Sequence, residues 1–128
     1  MKKRVSSGSQ YEQQIGFSRA VRIGPYVAVS GTAPIGPDGH TAHKGDVYAQ
    51  TMLCLQILLR AVRDAGASPE NVIRTRVMLT DLAHWKDAAR AHAEVFGAIR
   101  PACTVFAVQG FLDPDWLVEV EAEAVVED

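Results

Sequence analysis

The sequence predicts an α+β domain, with two helices packed on one face of a single sheet. Three observations predict it. Apolar residues recur every three or four positions over 46–65 and again over 82–98, the period of a helix with one buried side. Short apolar or alternating segments flank both stretches and give the order ββ-α-β-α-ββ. No repeat, low-complexity tract or Pro/Gly/Ser-rich linker divides the 128 residues, so residues 1–128 form one domain.

The elements follow in order. Residues 1–16 are polar and expected to be irregular. Strands are expected over Ser18–Ile23 and Val27–Thr32, joined by the turn formers Gly24-Pro25-Tyr26. Pro34 to Gly45 is rich in turn residues and reads as a loop. The first helix should start at Asp46, an N-cap or first-turn acid, and stop at Gly66. It should bury Val47, Thr51, Leu55, Leu58/Leu59 and Val62. Ser68-Pro69-Glu70 turns the chain into a strand over Val72–Leu79. The second helix should present Trp85, Ala88/Ala89, His92 and Val95/Phe96 on one face. Two closing strands end the chain, one at Thr104–Val108 and one alternating strand with Glu119, Glu121 and Glu123, with Asp113-Pro114-Asp115 as their turn. That makes four or five strands in all. Helices on one face leave the other face bare, and a bare face in so small a domain predicts a homo-oligomer.

Composition narrows the function. The net charge of -2 lacks the basic excess that nucleic acid or an anionic membrane would require, so neither is an expected partner. No apolar run has signal-peptide or bilayer-spanning length. Cys54 and Cys103 form no spaced framework and read as reduced thiols of a cytoplasmic protein. His40 and His43 with Asp38 sit in a Gly-rich loop without a fourth ligand, so no metal site is expected. No phosphate loop, dinucleotide fingerprint or serine nucleophile motif is present, and no cofactor is implied.

Several side chains carry two readings. Three carboxylates about 7 Å apart repel unless solvated or paired. Glu121 and Glu123 therefore read as a solvated edge face. Arg74 and Arg76 share a face of the middle strand and either neutralise those glutamates or bind a ligand anion. Cys103 reads as a small buried apolar filler, with a reactive thiol approached by His92 as the alternative. His92 reads as a hydrogen-bonded core or interface histidine, with an acid/base role in a cleft as the alternative.

An ordered set of short motifs adds a resemblance. These are Val29-Ser30-Gly31, Pro34, Gly39, Gly45-Asp46, Ala65-Gly66, Thr80-Asp81-Leu82, Pro101-Ala102 and Val118-Glu119-Val120-Glu121-Ala122. In order and spacing the chain resembles the RidA/YjgF family from Phe17 to Val125. The resemblance implies a trimer of chorismate-mutase-like architecture, with ligand clefts between subunits and hydrolysis of small reactive imines and enamines. It implies that Glu119 orients the attacking water and that Ser30 and Gly31 line the cleft. Two positions depart from the family pattern. Phe17 replaces a cleft tyrosine, and Cys103 replaces the arginine that grips a substrate carboxylate. A thiol cannot form the two parallel charge-assisted bonds of a guanidinium. Arg19 or Arg76 is the expected substitute. A non-catalytic metabolite-binding trimer is the rival expectation, and ribonuclease activity a distant third.

Overall fold

The computed structural model describes residues 2–127. One six-stranded sheet runs β1 (Lys2–Val5), β2 (Ala20–Ile23), β3 (Tyr26–Thr32), β6 (Val118–Val125), β4 (Val72–Leu79), β5 (Ala102–Ala107) in spatial order. All neighbours are antiparallel except β4 and β5, which are parallel. Helices α2 (Val47–Asp64) and α3 (Trp85–Phe96) pack against each other over the sheet. The α3 crossover is what allows β5 to run parallel to β4.

The expected helix–strand order holds, with boundaries within a few residues. Asp46 caps α2, its side chain accepting from the Ala49 amide at 3.0 Å. Gly66, just beyond the helix, takes φ +86°, a conformation that disfavours any side chain. The period of α2 buries Val47, Thr51, Leu55, Leu58 and Val62. In β6 the alternation sends Val118, Val120, Ala122 and Ala124 into the core. Glu119, Glu121 and Glu123 therefore point to the opposite, helix-free face.

Four expectations are corrected. The first segment is ordered: β1 pairs with β2, and α1 (Gln10–Ile15) follows, capped by Ser9 and stopped by Gly16 at φ 89°. β1 has no apolar pattern because its backbone bonds at the sheet edge do the pairing, and the sheet therefore has six strands. The two closing strands are not partners, since β4 lies between them. β6 is thus a central strand, and its glutamates do not line an edge. Trp85 opens α3 and is 49% exposed; the buried positions are Ala88, Ala91 and Phe96. Cys103 is exposed, because β5 is the uncovered edge and every one of its residues is exposed.

Candidate functional site

The site is built where β3 departs from regular pairing with β6. Val29 faces Ala122, but the next aligned pair is Thr32 with Val120, so three steps on β3 match two on β6. Ser30 and Gly31 occupy this bulge, which re-aims the strand end. The irregular backbone is pinned from the β2 side. The Ser30 amide donates to the Arg19 carbonyl at 2.9 Å, and its hydroxyl donates to the Ser18 carbonyl at 2.6 Å.

Arg19 braces the same corner. It is only 5% exposed. Its Nη1 donates to the Gly31 carbonyl at 2.6 Å and to Thr32 Oγ1 at 3.2 Å, and its Nε donates to Ser7 Oγ at 3.2 Å. Glu12 Oε2 stands 3.8 Å from Nε, and the Phe17 ring centre lies 5.2 Å from the guanidinium carbon. Burial favours proton loss from Arg19, while Glu12 and Glu119 oppose it. Burial likewise raises Glu12, but hydrogen bonds from Ser7 and Ser6 and the charge of Arg19 outweigh it and hold the carboxyl below its ordinary range.

Glu119 lies against the bulge. A Cβ placed on Gly31 would come 3.0 Å from Glu119 Oε1, so a side chain at 31 would crowd the carboxylate. Desolvation raises the proton affinity of Glu119; Arg19 lowers it and Glu121 raises it further, with a net upward shift. No protein donor reaches this carboxylate among the described residues. A half-buried carboxylate of raised pKa, without a protein partner, is suited to take a proton from water.

The remaining predicted residues lie elsewhere. Arg76 donates to Glu121 at 3.2 Å and Glu123 at 3.0 Å, the neutralising role. Cys103 lies in register with Thr75 and lines a hollow of about 130 Å³ with Ala88, Ala89 and His92 of α3. There Thr75 Oγ1 and His92 Nε2 are 2.8 Å apart, and burial lowers the proton affinity of His92. Thus one chain gathers Phe17, Arg19, Ser30, Gly31 and Glu119, but leaves Cys103 on the helix side of the sheet.

Sequence reasoning missed Glu12 and Gln50. Glu12 sits in a polar segment with no periodic signal. Gln50, fully buried, donates to the Ala42 and Asp115 carbonyls at 3.2 and 3.0 Å and accepts from the Leu117 amide at 2.9 Å. It ties the loop before α2 to the start of β6, and a polar residue on an apolar helix face was its one sequence signal.

The family model described as Endoribonuclease L-PSP matches residues 8–126. The crystal structure of Rv2704 from Mycobacterium tuberculosis, described as a member of the YjgF/YER057c/UK114 family, superposes with a TM-score of 0.89. It is 41% identical, over 98% of this chain and 100% of that one. The chain belongs to the YjgF family. Protein SCO2049 of Streptomyces coelicolor is 43% identical over 125 residues, 95% of this YjgF-family chain and 90% of its own length. The structure of TdcF of E. coli, solved with bound serine, is 27% identical over 87% and 88% of the two chains, with a TM-score of 0.79. Among the described residues of this YjgF-family chain, no helix is long and apolar enough to cross a membrane.

Proposed function

We propose that this protein is a homotrimer that hydrolyses small reactive imine or enamine metabolites in clefts between subunits. The carrying observation is Glu119, a desolvated carboxylate without a protein donor among the described residues, held against the Gly31 bulge. Family membership supports the reaction class. Water adds to the C=N carbon while its proton passes to Glu119. Glu119 returns that proton to the nitrogen, the hydroxyl proton follows as the carbinolamine collapses, and a carbonyl and ammonia leave. Imines already hydrolyse in water, and a thousand-fold acceleration requires only about 4 kcal/mol. One positioned carboxylate and a few backbone donors are sufficient.

The two-copy arrangement has a geometric motive. Glu119 projects from the helix-free face, whereas Cys103 lies in the hollow under α3. A cleft that uses both needs them from different copies. Within it Ser30, Gly31 and Phe17 line one side and Cys103 the other, with no cofactor. Arg19 is a positioning residue that holds Gly31 and lowers the Glu119 pKa. Arg76 is the nearer candidate for a substrate carboxylate, at the cost of loosening its glutamate pairs.

A second reading, metabolite binding without turnover, is favoured by the Cys103 hollow, which has no cation in its lining. Ribonuclease activity is disfavoured by the net charge of -2. The test generates 2-imino acids with an amino-acid oxidase beside a trapping amine, and adds wild type, Glu119→Ala or Cys103→Arg. Acceleration by wild type that is lost in Glu119→Ala supports hydrolysis. Saturable ligand protection without any rate in wild type replaces it with the binding reading.

A further inference from the structure

A cavity of about 680 Å³ lies away from Glu119. It lies between α2, the segment 5–10 and the loop 33–40. The long helices contact β3 and β6 or each other, so the β1–β2 end of the sheet is left to the N-terminal segment. One wall is apolar: Leu53, Ile57 and Ala61 are spaced four residues apart along α2. Val5 and Ala33, both buried, extend that lining. The opposite rim carries the hydroxyls of Ser6, Ser7 and Ser9. Arg60 and Asp64 stand at the mouth as a solvated pair 3.9 Å apart, with side chains 84% and 52% exposed, and so contribute little to ligand choice.

Among the described residues, the one buried charge lining this space is Arg19. Its Nε and Nη1 are engaged by Ser7, Gly31 and Thr32. Among the described residues no hydrogen bond reaches Nη2. A guanidinium has five donors in a fixed fork, so two N–H groups remain for an acceptor. Glu12 pairs with the Nε side at 3.8 Å and leaves that edge open.

We propose that this groove is a second ligand site, within a single chain, for a small aliphatic carboxylate. The carboxylate would accept from Arg19 Nη2 and the Ser9 hydroxyl, while the alkyl chain lies on Leu53, Ile57 and Ala61. The volume falls in the range of small-molecule sites, and the pattern of one apolar wall with a few converging donors is their usual chemistry. None of Ser30, Gly31, Cys103 or Glu119 lines the groove, which shares Arg19 with the imine site.

Isothermal titration of the full chain with hexanoate, hexan-1-ol and hexylamine tests it. Hexanoate should bind saturably, at least about tenfold more tightly than either analogue, a difference of about 1.4 kcal/mol. Ile57→Trp fills the groove and should weaken hexanoate at least about tenfold; Leu53→Trp replaces it if the first variant melts early. Cys103→Leu, at the opposite edge of the sheet, should leave hexanoate binding intact. The proposal is overturned by absent saturation, by equal binding of the alcohol or amine, by undiminished binding in the tryptophan variant, or by loss in Cys103→Leu.

Discussion

At the scale of single residues, the proposed hydrolysis rests on Glu119 and its neighbours. Its carboxyl is raised by burial and lowered in part by Arg19. In the proposed mechanism the unprotonated form takes the proton from water, so activity should rise with pH through the Glu119 pKa. The acid limb of kcat/KM should therefore lie above the ordinary glutamate range near 4.3. Arg19→Met removes the charge that favours the carboxylate and should move this limb to still higher pH. A limb that stays in place in the pH–rate profile would separate Arg19 from Glu119. Gly31 serves the same carboxylate by leaving room for it. Gly31→Ala brings a methyl group to 3.0 Å from Oε1 and should lower kcat/KM by about tenfold or more, with a small change in melting temperature. Glu119 and Gly31 were legible as a pair only through the family pattern. Their contact depends on the β3 bulge, which no local residue preference announces.

At the scale of elements, α2 is the clearest case of sequence becoming structure. Its period places Leu55, Leu58 and Val62 in the core, all fully buried. Each contributes on the order of 1.5–3 kcal/mol through removal of apolar surface from water. Asp46 closes the first turn by accepting from Ala49. Asp46→Ala should cost about 1 kcal/mol in urea unfolding, with an unchanged m-value. α3 was harder to read, because Trp85 extends the apolar period one turn beyond the packed face. β1 was invisible: Lys2, Lys3 and Arg4 carry no strand pattern, and their pairing with Ile23, Arg22 and Val21 is made by backbone groups. A terminal strand of this kind depends on a partner strand that is already in place.

At the scale of the molecule, the sheet is covered on one side only. The opposite face presents the glutamate–arginine ladder, and the β5 edge presents Val105 and Phe106, 39% and 36% exposed. An apolar edge strand of six exposed residues calls for a cover. Self-association should provide it. Phe106→Asp should lower the mass seen by light scattering toward 13.9 kDa, the mass of one chain. It should also speed labelling of Cys103 by a thiol reagent. Unchanged mass and unchanged labelling would remove β5 from the interface.

The sequence by itself determined the order of elements from β2 onward, the faces of α2 and β6, and the family. These rest on periodicity and short motifs, which are local properties of the chain. Tertiary structure alone decided which strands are neighbours and where the site residues meet. β6 inserts between β3 and β4, so Glu119 reaches Gly31 across 88 positions of sequence. It also decided that Arg19 is braced by Ser7, Gly31 and Thr32 and that Cys103 lies on the other side of the sheet. Such contacts follow from strand pairing between distant segments, and the burial that shifts Glu119 is a property of the folded chain and of no residue alone.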